Sequence, residues 1–166
     1  MKLIKVERFG IIFITLFVFL LSNLYFLTEF DFFKFICAGN NSMLEQMKVV
    51  YFSYMFFMII EMICKIQYND NFFLAKAIST YILVFSIPMF FYTFKNMFGV
   101  MNTIFYFILV LICVGISQSF SYKILLDEQN DKVKVKLISI MSIILLGIIL
   151  VYFSYNPLNT PIFMDI

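Results

Sequence analysis

Five apolar runs, separated by short polar connectors, make up almost the whole chain. The first, Phe9 to Thr28, holds no charged residue. At a rise of about 1.5 Å per residue, about 20 residues cross a hydrocarbon core of about 30 Å. A cleavable signal peptide would have an apolar core of about 7–15 residues and then a small-x-small site. Ser22-Asn23-Leu24-Tyr25 offers no such site, so this run is expected to stay as an uncleaved span. The pattern predicts an all-α bundle of five transmembrane helices, over approximately 9–28, 43–64, 77–94, 100–122 and 137–155. Residues 1–166 form one membrane domain, and 156–166, with Pro157 and Pro161, is expected to be an extended outer tail.

The connectors refine this. Met1 to Arg8 reads as a short basic lead. Glu29 to Cys37 interleaves acids with phenylalanines and suits the headgroup zone. Tyr68-Asn69-Asp70-Asn71 is turn-like. Pro88 lies inside the third run, where it removes a backbone donor and clashes with the carbonyl of Val84. A bend is expected there, with the freed carbonyl taken by Ser86, Thr93 or a neighbouring helix. No internal repeat is visible, so a transporter of inverted repeats is not supported.

One stretch crowds polar groups against an apolar run: Asn40-Asn41-Ser42-Met43-Leu44-Glu45-Gln46-Met47-Lys48. A helix starting at Val49 would have only about 16 residues to cross with. Ser42-x-x-Glu45 is a capping-box pattern, with the Ser42 hydroxyl taking the amide of Glu45 and Glu45 reaching back to the amide of Ser42. The second helix is therefore expected to begin at Ser42 or Met43, with Lys48 one turn in and snorkelling outward. On that helix Gln46, Ser53 and Glu61 fall within an arc of about 80°, interrupted by Phe57. Glu61 stands four residues before Lys65, and a surface salt bridge accounts for it. Ser117, Gln118, Ser121 and Tyr122 in the fourth run read as bonds to neighbouring helices.

Composition settles the class. The 166 residues are 63% hydrophobic and 13% charged, with a mean hydropathy of +0.99. Soluble domains are about 25% charged. Nine basic residues (Lys2, Lys5, Arg8, Lys65, Lys76, Lys123, Lys132, Lys134, Lys136) fall on the side of the N-terminus and three (Lys34, Lys48, Lys95) on the other. That bias puts the N-terminus inside and the C-terminus outside. The scattered basic residues give no nucleic-acid surface.

Candidate chemistry is sparse. Histidine is absent, which removes the commonest general base and metal ligand. Cys37, Cys64 and Cys113 form no C-x-x-C pair and are expected to be buried free thiols. No metal and no cofactor is expected. Asn40, Ser42, Glu45, Gln46, Lys48 and Asn102 are the candidate binding residues, grouped with Lys95 in a shallow outer pocket. Glu45 is the candidate catalytic residue.

The same stretch resembles the signature of domain-of-unknown-function family 6512, an uncharacterised bacterial family of small multi-pass membrane proteins. Its motif reads approximately Asn-Glu-Ser-x-Trp-Glu-His-x-Lys. Asn40, Ser42, Glu45 and Lys48 match; Asn41, Leu44 and Gln46 replace its Glu, Trp and His. Glu61, Phe91-Tyr92-Thr93, Gly99, Gln118, Ser121-Tyr122 and the closing Pro157, Pro161, Phe163 and Asp165 extend the likeness. The resemblance implies the architecture and a bacterial plasma membrane, and no activity. The expected function is non-enzymatic: binding a small ligand, lipid or partner protein at the outer face. The alternatives are a membrane enzyme with Glu45 as acid or base, Lys48 or Asn40 positioning an anionic group, and a transporter subunit with Gln118 and Pro88 at helix contacts.

Overall fold

Five helices account for most of the described backbone in a computed structural model of the chain. It describes residues 2–28, 31–64, 66, 71–99, 102–127 and 133–164. They are α1 (Lys2–Thr28), α2 (Met43–Ile63), α3 (Phe72–Phe98), α4 (Thr103–Leu126) and α5 (Val133–Tyr155). Short 3-10 turns form at Asp31–Phe35 and Pro161–Phe163. Among the described residues no β-strand forms.

The shortest link, between α3 and α4, makes those helices antiparallel neighbours, whereas α5 does not settle on α4. α1, α2, α3 and α4 form a closed ring in which each touches the next and α4 returns to α1; α5 packs outside, against α2 and α3. Two glycines let helices approach. A Cβ at Gly10 would stand 2.5 Å from the Phe57 ring and 2.6 Å from Gln118 Nε2, and one at Gly147 would stand 2.6 Å from the Tyr51 hydroxyl. That hydroxyl donates to the Ile143 carbonyl at 2.9 Å, and Tyr81 donates to the Ser142 carbonyl at 3.0 Å. Both tie α5 to the ring through its backbone.

The ring's outside is apolar. On α5, Leu137, Ile138, Met141, Ile144, Leu145, Ile148 and Ile149 are exposed, while Ile143, Leu146 and Leu150 are buried. In water such a stripe would be a large exposed apolar patch. Four helices, α2 to α5, are long and apolar enough to cross a membrane. The chain is therefore a membrane-embedded helical protein, with its apolar shell against lipid and its polar groups turned inward.

Several local expectations change. Residues 2–8 are not a separate lead but the first turns of α1, because Glu7 has a buried partner (below). α3 starts at Phe72 and continues unbroken through Pro88 to Phe98. The Ser86 hydroxyl bonds the Leu83 carbonyl and Thr93 that of Met89, so neither takes the carbonyl of Val84. The tail is not wholly extended: Pro161–Phe163 turns back onto α2, and the Phe163 ring lies 5.8 Å from that of Phe153. Cys37 and Cys113 are buried free thiols, whereas Cys64, at the end of α2, is exposed. Lys65, the Tyr68–Asp70 cluster, Lys132 and Asp165 lie outside the described residues.

Candidate functional site

The Asn40–Lys48 stretch builds the junction it was expected to build, with different partners. α2 begins at Met43, and Ser42 is its N-cap, accepting the Glu45 amide at 3.4 Å. The return half of the capping box does not form. Asn40 Oδ1 takes the Ser42 amide at 3.0 Å, and the Glu45 carboxylate instead accepts the Gly39 amide at 2.8 Å. Glu45 also pairs with Lys48 at 2.7 Å and accepts from the Ser154 hydroxyl.

Lys48 does not snorkel. It is fully buried, and its ammonium also donates to the Lys34 carbonyl and to Ser154, each at 2.8 Å. Sequence spacing alone could not show this, because Ser154 lies at the far end of α5. The clamp joins the Asp31–Phe35 turn, α2 and α5. Beside it, burial pushes the Cys37 thiol up from its ordinary value, with the Lys48 charge pulling the other way. That thiol stays protonated near neutral pH.

A cavity of about 610 Å³ opens at the same end of the ring, between α1 and α4. Gln46, Lys95 and Asn102 line it, with Ser22, Tyr106 and Phe91. The Gln46 carbonyl accepts from Ser22 and Tyr106, both at 3.1 Å. Those bonds join three helices and leave the Gln46 Nε2 unused by either. Lys95 Nζ lies 5.7 Å from the Phe91 ring centroid. Asn102 also caps α4, accepting the Phe105 amide at 2.9 Å. Of the candidate residues, Gln46 and Asn102 reach the cavity. Asn40, Ser42, Glu45 and Lys48 do not line it; the clamp absorbs them. Phe91 belongs to the Phe91-Tyr92-Thr93 likeness but was not placed at a site, and the cavity's other aromatic and α1 residues carry no motif and were missed in the sequence.

The opposite end of the ring holds a second polar group. Glu61 does not face water; it is fully buried and meets Lys76 of α3 at 2.6 Å. Lys76, also fully buried, pairs with Glu7 of α1 at 3.0 Å and donates to Ser121 of α4 at 2.8 Å. Ser121 in turn donates to the same oxygen of Glu7 at 2.8 Å. One side chain from each ring helix thus meets at one point. One turn deeper, Ser117 donates to the Ser79 carbonyl at 2.8 Å, a direct α3–α4 link. Gln118 makes no such link: it is 1% exposed, and both its amide atoms lack partners among the described residues. Glu7 and Lys76 were missed as site residues because each stands at the edge of an apolar run and reads as a connector charge.

The arrangement defines a class: a multi-helix membrane protein with a polar knot at one end of its core and an open amphipathic cavity at the other. Over residues 1–166 the chain matches the model of a family of unknown function, DUF6512, and belongs to that family. No curated protein and no solved structure matches it.

Proposed function

We propose that this protein is a non-enzymatic receptor for a small anionic amphiphile at the outer face of a bacterial plasma membrane. The cavity carries the reading. Its volume of about 610 Å³ is of the size ligand sites have, roughly 300–1,000 Å³. Its lining pairs apolar Val18, Phe19, Phe107 and Val110 with one cation, Lys95, and the amides of Gln46 and Asn102. An acyl chain fits the first set and an anionic head the second. Glu45 argues against the enzymatic alternative: it is 3% exposed, outside the cavity, and both its oxygens are taken.

On this reading α1 is a fifth span and the N-terminus is cytoplasmic. Lys48 and Lys76 are fully buried and leave the tally of connector charges. The bias becomes eight to two, still favouring the same orientation. Impermeant thiol labelling in intact cells, in a background without native cysteines, should mark position 160 and not position 130. The opposite pattern reverses the topology.

The binding test uses fluorescent lysophosphatidylglycerol and the purified protein in mild detergent. Saturable binding is expected. Lys95→Gln removes one charge-assisted contact, of about 1.5–3 kcal/mol, so affinity should fall about tenfold or more. Zwitterionic lysophosphatidylcholine should bind the unaltered protein more weakly, and Lys95→Gln should narrow that difference. Equal binding of both lipids, or no effect of Lys95→Gln, counts against the proposal.

A further inference from the structure

The knot at the other end of the ring does not balance. Glu7 and Glu61 are two carboxyls, and among the described residues Lys76 is the one cation they share. If both acids were ionised the knot would carry a net negative charge inside a lipid-embedded core. Uncompensated buried charge is strongly disfavoured. The structure assigns this place a missing positive equivalent. Three observations locate it. Oε1 of each acid is bonded to Lys76, while Oε2 of each is buried with no partner among the described residues. Both Oε1 atoms bond the same ammonium nitrogen, at 3.0 and 2.6 Å, which holds the two carboxyl groups close together. Two ionised carboxylates have only acceptors to offer one another; one proton makes one of them a donor. Close by, the fully buried Tyr54 presents its ring to Lys76 Nζ at 5.8 Å, and the buried amide of Gln118 has no partner among the described residues.

We propose that Glu7 and Glu61 form a proton-binding site that holds one exchangeable proton between them. Uptake forms one O–H bond on a carboxylate oxygen and breaks no other bond. The protonated pair with Lys76 is neutral; the deprotonated site is a negative centre among four helices. Two carboxylates close together cannot both ionise freely, for the same reason.

The surroundings are specific. From α1 the knot receives Glu7, while Lys5 and Arg8 are exposed. From α2 it receives Glu61 and Tyr54, and from α3 Lys76. From α4 it receives Ser121 and the amide of Gln118, while Lys123 points outward over the Phe120 ring. Among the described residues α5 sends no charged side chain to it: Lys134 is exposed and Lys136 lies over Phe73. A proton bound here is thus sensed by all four ring helices, which gives the bundle a protonation-dependent element independent of the cavity reading.

The test is infrared difference spectroscopy on the full-length protein in nanodiscs, with ¹³C-labelled glutamate. At neutral pH the protein should show the carbonyl stretch of one protonated glutamic acid, shifting in D₂O and lost at high pH. Glu61→Gln should abolish the band, because the remaining Glu7 then makes a simple ion pair with Lys76. Glu7→Gln should do the same if Glu61→Gln does not fold, and the spectrum of the unaltered protein is decisive even without either variant. No protonated glutamate at any pH where the protein stays folded overturns the proposal. So does stabilisation by sodium over choline at equal ionic strength that Glu61→Gln removes, since an alkali ion would then occupy the site.

Discussion

Lys76→Met is expected to be the most damaging single substitution in the chain. It keeps most of the side-chain volume and removes the one charge that Glu7 and Glu61 share. Breaking a buried ion pair from one side costs about 3–5 kcal/mol, because the orphaned charge remains buried. Two carboxyls are orphaned here, and Ser121 loses the donor at its oxygen. Against a total stability of about 5–15 kcal/mol the loss is disabling. The same physics predicts rescue. The triple variant Lys76→Met, Glu7→Gln, Glu61→Gln removes all the charge and should recover most of the loss, since a buried pair is worth little over a neutral replacement. Thermal unfolding in mild detergent measures both. A Lys76→Met protein as stable as the original would mean that the knot carries no charge interaction, and an unrescued triple variant would assign the cost to packing.

The helices were legible because apolar run length has one meaning in lipid: a segment must satisfy its own backbone. The start of α2 was legible because Ser42 follows two turn-forming asparagines and precedes an apolar run. What the sequence hid was the pairing of charges across helices. In the antiparallel ring the beginning of α1, the end of α2, the beginning of α3 and the end of α4 share one depth. Glu7, Glu61, Lys76 and Ser121 stand at those four places. Local spacing favours Lys65 for Glu61, four residues away on the same helix; depth favours Lys76. The interrupted polar stripe of α2 was a usable signal: Gln46, Ser53, Phe57 and Glu61 are all buried, so Phe57 continues the inward face rather than breaking it. The cavity left less trace, because residues such as Ser22 and Tyr106 acquire a role only when α1 and α4 meet.

Glu45→Gln should destabilise the protein well beyond the loss of a helix cap. In isolation Ser42-x-x-Glu45 is a capping pattern, and removing the Ser42 hydroxyl costs about 0.5–2 kcal/mol. The carboxylate, however, serves the clamp: it holds Lys48, the Gly39 amide and Ser154. Glutamine can offer one carbonyl oxygen to these three donors, and its amide hydrogens then face another donor. Lys48 keeps the Lys34 carbonyl and Ser154 but has no counter-charge in a fully buried place. The cost expected is about 3–5 kcal/mol. Lys48→Met added to Glu45→Gln should return part of it, because no ion is then buried. The damage should also be local at first. The Gly39 bond and the Lys34 bond tie the 31–42 connector to α2, so limited proteolysis should cut this connector sooner in Glu45→Gln than in Ser42→Ala. Lysophosphatidylglycerol binding by the folded fraction should persist, since Glu45 does not line the cavity. If Glu45→Gln costs no more than Ser42→Ala and leaves the connector equally protected, Glu45 is only a helix-start residue and the clamp is not what holds α5 to this end of the bundle.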